Sequence, residues 1–480
     1  MKKSVLIASA ILFLCSVLDA KVTLPSVLSD NMVLQQDTEV ALWGKAAPGR
    51  KVTIKVGWSK GKTVVTADPE TGKWLARVAT PKASPEAPAY DITISDGEAL
   101  TLHDVLIGEV WFCSGQSNME MPLKGYDSQP AKGSTAFILR AGESRPLRIC
   151  NIVRRSSITP LEESEGSWKL HSPESAANTS ATAYYFAEAL QAAIGIPVGI
   201  IVSSWGGSSI ETWMSREVIE KEFPEYNIDY LDGKSEVTHK YHNPCLLYNG
   251  QVNPIVPYTI KGMIWYQGET NLHHPDKYIR LQEAYVRMMR TLFNVPDAPF
   301  YFVQIAPYPY GKPNGWERGY FVEGQQKSLA VIPHSGMAVT CDVGEYGTIH
   351  PCNKEAVGQR LALLALSHDY GKGVIAADAP TYKSMVVEDG KILIKFNVDG
   401  LNLNPMGADI AGFEIAGEDK EFHKAKARLS DKDHSVVVVS SPDVPQPVAV
   451  RYCFRNWCNG GLYNNFGIPA ASFRTDDWAL

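Results

Sequence analysis

The chain has 480 residues, 45% of them hydrophobic, and its 46 Lys and Arg against 52 Asp and Glu leave a net charge of −6. That length exceeds one typical core and implies two or three domains. The basic residues are scattered and not in excess, which excludes nucleic acid as a partner.

Residues 1–20 read as an export signal: Lys2 and Lys3 precede the apolar run Val5 to Leu14, and Leu18-Asp19-Ala20 offers a cleavage site. Periplasmic location is the expectation, by simple secretion. Leu14 is a poor residue ahead of a lipidated Cys15, and no tether-like linker follows. No other segment could span a bilayer, so no membrane span remains after the signal is removed.

Residues 21–103 form short alternating runs broken by Gly and Pro, such as Glu39 to Gly44 and Lys51 to Val56, and predict a small β-sandwich. Residues 104–372 change texture. Buried strands are predicted at Val198 to Ser203, Gly262 to Tyr266, Phe300 to Ile305 and Met337 to Thr340, alternating with helices at Thr182 to Ala193, Asp276 to Phe293 and Asn353 to His368. Such alternation specifies an α/β domain, a parallel sheet with helices on both faces and functional loops at the strands' C-terminal ends. Residues 373–480 return to strands, including Lys391 to Phe396 and Ser435 to Ser440, and predict a second β module.

Four segments fall at predicted strand ends of the central domain. Gly115-Gln116-Ser117-Asn118-Met119 follows the apolar run Val105 to Phe112 and exposes a hydroxyl beside fresh backbone N–H donors. The same residues are also ordinary turn and cap chemistry. Ser203 to Trp213 carries the paired Gly206 and Gly207, which permit close backbone approach. Trp265 to Asn271 places Gln267, Glu269 and Asn271 in one loop, and Cys341 to Pro351 carries Asp342, Glu345 and His350. A serine needs a base and the base needs an orienting acceptor, and all three types lie on one predicted face.

Gly115 to Met119, Trp205-Gly-Gly-Ser208, Trp265 to Asn271 and Ile349-His-Pro351 resemble the blocks of the sialate O-acetylesterase family, within the SGNH hydrolase group. Leu28 to Gln35, Val450-Arg-Tyr452 and Phe473 to Asp476 extend the resemblance over nearly the whole mature chain. It implies a flavodoxin-like three-layer hydrolase domain flanked by β-sandwich-like modules. It further implies Ser117 as nucleophile, His350 as general base and then acid, and an oxyanion hole of the Ser117 N–H, the Gly207 N–H and a side chain, Gln267 ahead of Asn271. The aspartate that many SGNH enzymes place three residues before the histidine is replaced here by Gly347. Asp342, Glu345 and Glu269 are the candidates for the acid, alongside a Ser-His dyad helped by a backbone carbonyl. Asp342 is favoured because it sits just past a strand.

The implied activity is removal of O-acetyl groups from sialic acids, with acetylated plant polysaccharide such as xylan as the alternative substrate and a non-catalytic carbohydrate-binding protein as the alternative class. Trp205, Trp265 and Tyr266, with Trp213, are candidate walls for a sugar ring or, equally, core. Arg360, Arg451 and Arg455 are candidates for a sialate carboxylate. No cofactor is required and no metal-ligand spacing occurs; His273-His274 reads as a solvated loop pair. Seven cysteines follow Cys15, an odd number without the spacing of a disulfide framework, although Cys341 with Cys352, or Cys453 with Cys458, could bridge. Oligomeric state is not legible.

Overall fold

The structure, a computed structural model, describes residues 21–142, 146–373, 376–405 and 410–478. The expected export signal lies outside the described residues. The predicted central elements are present at nearly the expected places: strands Val198–Ser204, Gly262–Tyr266, Phe300–Val303 and Ser335–Ala338, and helices Ala181–Ile194, Pro275–Leu292 and Lys354–Asp369. The helix ends follow from local chemistry. The Ser180 side chain caps the first of these helices at the Ala183 N–H and Gly195 closes it in the left-handed conformation, Pro275 opens the second, and the Asn353 side chain caps the third at the Ala356 N–H.

The central sheet runs, in space, Ser335–Ala338, Phe300–Val303, Gly262–Tyr266, Ala99–Gly115, Val198–Ser204, Leu147–Asn151, all parallel, and ends in the antiparallel Trp168–Leu170. Without Leu147–Asn151 and Trp168–Leu170, the remaining five strands have the flavodoxin order 2-1-3-4-5. Those two strands extend the sheet beyond Val198–Ser204. Alternate residues of Ala99–Gly115 face opposite layers. Trp111 and Cys113 pack with Phe186 and Leu361 of the helices Ala181–Ile194 and Lys354–Asp369, whereas Phe112 belongs to the core of Tyr278, Leu281 and Phe321 on the other face.

Strand Ala99–Gly115 also crosses the boundary expected at residue 103. Its first half pairs antiparallel with Tyr90–Ser95, its middle pairs parallel with Val33–Gln35, and its second half is the centre of the parallel sheet. One 17-residue strand therefore belongs to both the N-terminal β region and the central domain. The C-terminal region holds two four-stranded antiparallel arrangements, one around Lys391–Asn397 and one around Ala449–Tyr452. The larger of the two apolar cores continues from Val22 through Phe302 to Phe473. All seven described cysteines are free, so neither anticipated pair is bonded.

Candidate active site

The crevice of an open α/β sheet opens where the chain reverses direction along the strand order. Here that point is the C-terminal end of Ala99–Gly115, flanked by Val198–Ser204 and Gly262–Tyr266. Three of the four sequence blocks leave the sheet from these three adjacent strands. Gly115 makes the turn: its φ is +145°, and a Cβ there would stand 2.1 Å from the Tyr266 carbonyl oxygen. Gln116 then donates its N–H to that same carbonyl (3.0 Å), and Ser117 begins the short helix Ser117–Glu120. Ser117 is half-buried, and the first N–H groups of a helix have no acceptor within it.

The Gly206-Gly207 turn lies directly against this serine. A Cβ on Gly206 would be 3.4 Å from the Ser117 Cβ, and Gly207 adopts φ +75°. The turn is held from several sides: the Gly206 N–H donates to Glu120 Oε2 (2.5 Å), and the Gly207 carbonyl accepts from Thr270 Oγ1 (3.1 Å) and bonds His242 Nε2 (2.8 Å). Among the described residues no acceptor meets the Gly207 N–H.

Gln267 and Asn271 are placed differently from the expectation. Gln267 is fully buried and spends its amide hydrogens on the Ser208 carbonyl (3.1 Å) and Asn271 Oδ1 (2.7 Å). Asn271 donates to Glu211 Oε2 (3.0 Å) and accepts from the Ile210 N–H (3.1 Å). Both amides brace the loop Ser208–Trp213 against the loop after Gly262–Tyr266, which leaves the backbone donors free and these side chains committed.

His350 lies in the loop after Ser335–Ala338, half-buried, with its ring edge-on to Tyr126 (centroids 5.4 Å). Tyr126 in turn donates its hydroxyl to the Ser117 carbonyl (3.1 Å), so one tyrosine touches both the serine turn and the imidazole. The Nδ1 partner is Gln129 Oε1 at 2.5 Å, an acceptor that suits a proton on Nδ1 and leaves the Nε2 lone pair open. Burial first, and then the Lys354 charge, push the His350 pKa down to about 4.

The favoured acid does not reach this imidazole. Asp342 is held by both Arg360 guanidinium nitrogens (2.8 and 2.6 Å), a charge-assisted bidentate pair that fixes the carboxylate against the helix Lys354–Asp369. Glu345 accepts from the Cys352 N–H (2.6 Å) and shapes the histidine loop.

Glu269 belongs to a buried network under the serine turn. Asn118 Nδ2 donates to Glu269 Oε1 (2.6 Å) and to the Ile349 carbonyl (3.1 Å), while Lys354 Nζ donates to Asn118 Oδ1 (2.5 Å). Burial lifts the Glu269 carboxyl above its ordinary value and lowers the Lys354 ammonium to about 7. Asn118 thereby ties the residue after the serine to the residue before the histidine.

Trp213, Trp265 and Tyr266 are core residues, at most 1% exposed, so they cannot line a cleft. Trp265 donates to the Tyr278 hydroxyl (3.2 Å) and packs on Tyr285. Trp205 alone is half-exposed, between Tyr241 and the Arg154 guanidinium, 5.7 Å from its ring. Arg360, Arg451 and Arg455 are each paired already, with Asp342, Asp476 and Glu414. Arg154, not anticipated from sequence, is exposed at the rim and bonds Glu120 Oε1 (3.0 Å) through one nitrogen.

Among the described residues no group of His, Cys, Asp or Glu could hold a metal ion, and no helix is long and apolar enough to cross a membrane. Residues 107–364 match the family model described as carbohydrate esterase, sialic acid-specific acetylesterase. The chain belongs to this carbohydrate esterase family. It is 34% identical to the carbohydrate acetylesterase XAC1771 from Xanthomonas citri, with a TM-score of 0.83 over 95% of this chain and all of that one. It is also 25% identical to the sialate O-acetylesterase of Mus musculus over 90% of this chain and 89% of that protein. Identity to the sialate O-acetylesterase of Homo sapiens is 28%, over 74% and 72%. Acetyl-ester hydrolysis on a carbohydrate is thus the activity of this esterase's family.

Proposed function

We propose that this esterase removes O-acetyl groups from sialic acids through a Ser117 acyl-enzyme, acting in the periplasm after export. The observation that carries the reading is the meeting of Ser117, the Gly206-Gly207 turn and the Tyr126-linked His350 at the sheet's reversal point. Ser117 Oγ attacks the acetyl carbonyl while His350 Nε2 takes its proton. The oxyanion falls between the Ser117 and Gly207 N–H groups. The imidazolium returns the proton to the departing sugar oxygen, and water, activated by the same Nε2, then releases acetate and restores the serine.

The His-orienting acceptor in this scheme is a neutral amide, Gln129, rather than a carboxylate. An imidazole kept neutral by burial is ready as a base across neutral pH. The strand-rich regions 21–103 and 373–480 act as β-sandwich-like modules that brace the central sheet. For the sialate carboxylate the available cation is Arg154, whose guanidinium stands at the rim beside Trp205.

A second substrate reading, a neutral acetylated polysaccharide such as xylan, is supported by the commitment of the other three candidate arginines to carboxylate partners. Acetate release by the wild-type protein and Ser117→Ala from 9-O-acetylated sialic acid and from acetylated xylan oligosaccharides separates the readings. Serine-dependent release from the sialic acid alone supports the proposal. Release mainly from xylan keeps the mechanism and replaces the substrate, and release that survives the substitution rejects the mechanism.

A further inference from the structure

Arg318 opens the helix Glu317–Val331 and is fully buried, and among the described residues no carboxylate pairs with it. A buried guanidinium normally has an anion beside it. Its nitrogens reach the carbonyls of Ile305 (3.2 Å) and Cys453 (3.1 Å) and the sulfurs of Cys458 (3.6 Å) and Cys341 (4.0 Å). The Cys453 thiol lies against both other sulfurs. Cys341 comes from the end of the sheet that carries the histidine loop, and Cys453 and Cys458 come from the C-terminal region. Three thiols from two parts of the chain thus surround one uncompensated positive charge.

The three differ in access and environment. Cys341 and Cys453 are about 1% exposed, whereas Cys458 is half-exposed. Cys341 also touches Ser472 Oγ (3.3 Å) and Gln304 Oε1 (3.4 Å). Burial pushes the Cys453 thiol well up, whereas a hydrogen bond with Cys453, and after it the Arg318 charge, hold Cys341 below the usual thiol range. A cation beside a thiol favours the nucleophilic thiolate.

We infer that Cys453 and Cys458 form an oxidisable dithiol, with Arg318 as its charge partner and Cys458 as the point of entry for a small-molecule disulfide. The Cys458 sulfur attacks the external disulfide, forming a mixed disulfide and expelling one thiolate. The Cys453 sulfur then attacks the Cys458 sulfur and expels the second thiolate. Two cysteine thiols are oxidised by two electrons, one external disulfide is reduced to two thiols, and the two cysteine protons pass to those thiols. The new bond closes the segment 454–457, in which Asn456 accepts from the Arg318 N–H (2.8 Å) and Trp457 packs edge-on against Tyr346 of the histidine loop (centroids 5.4 Å). This dithiol is independent of the acyl chemistry.

The test is native full-length protein equilibrated with oxidised glutathione, acid-quenched, alkylated, digested and mapped by mass spectrometry. A Cys453–Cys458 bond is expected, with Cys113, Cys150 and Cys245 still thiols. A Cys341–Cys453 bond, stable glutathionylation at Cys458 without resolution, or no disulfide at Cys453 overturns the inference. Native alkylation rates check the point of entry without any variant. Cys458, half-exposed, should be alkylated before the buried Cys341 and Cys453. Earlier alkylation of Cys341 or Cys453 overturns Cys458 as the point of entry.

Discussion

Replacing Gln129 by Glu tests the reading of His350 at the atom on which it depends. In the wild-type protein Nδ1 meets a neutral amide oxygen at 2.5 Å, and burial with the nearby Lys354 charge holds the imidazole pKa at about 4. The neutral imidazole therefore persists on acidification, and with His350 as the proposed base kcat/KM should fall only as pH drops through about 4. A carboxylate at the same distance favours the imidazolium. An opposite charge at contact range shifts a pKa by about 1–3 units, and the half-buried setting places the effect toward the lower end, about 1–2 units. The acidic limb of Gln129→Glu should then lie at about pH 5–6, with turnover above pH 8 equal to or greater than wild type. Gln129→Leu, which removes the acceptor, should lose about 10²-fold, the lower range of a well-presented general base. The assay is acetate release under kcat/KM conditions from pH 3.5 to 9. Coincident limbs for wild type and Gln129→Glu, or a wild-type limb near the unperturbed histidine value of about 6.5, would refute this account.

Ser117→Ala should lower turnover by at least about 10³-fold with unchanged thermal unfolding, read by acetate release and calorimetry. Arg154→Ala should raise KM for an acetylated sialic acid by about tenfold while leaving a neutral acetyl ester unaffected, since it removes one exposed charge contact with the substrate. Lys354→Met leaves Glu269 buried without its cation and should cost about 3–5 kcal/mol in urea unfolding. It should also move the acidic limb upward, because the Lys354 charge adds to burial in depressing His350. Arg451→Met breaks a buried pair, with bonds of 2.9 and 2.7 Å to Asp476, and should cost a similar amount without changing the pH profile.

The central strands and helices were legible because their apolar runs and helical periods are long and their ends carry strong signals. Ser180, Gly195, Pro275 and Asn353 mark helix boundaries within a residue of where they fall. The helix Glu317–Val331 was not legible. Gly319 and Gly324 lower its intrinsic preference, and the need for Gly319 appears only in three dimensions, where a Cβ would strike the Phe454 carbonyl at 2.0 Å. The 17-residue strand was likewise split at a boundary, because its two halves serve different sheets and change composition midway.

At the site, sequence order predicted which loops converge, since loops after adjacent parallel strands must share one edge. It did not predict which polar side chains remain free. Asp342 illustrates the reason: rigid anchoring just past a strand made it the favoured acid, and the same anchoring sets it within reach of Arg360, one helical face away. A carboxylate that a guanidinium already grips with two bonds has little left to offer an imidazole. Lys354 offered the one signal that could have been read earlier. A lysine in the first turn of a helix opposes the helix dipole, so its retention there calls for a buried anion, which the fold supplies as Glu269 through Asn118. The residues next to Ser117 and His350 thus hold a buried charge balance, Lys354 to Asn118 to Glu269, directly beneath the serine turn.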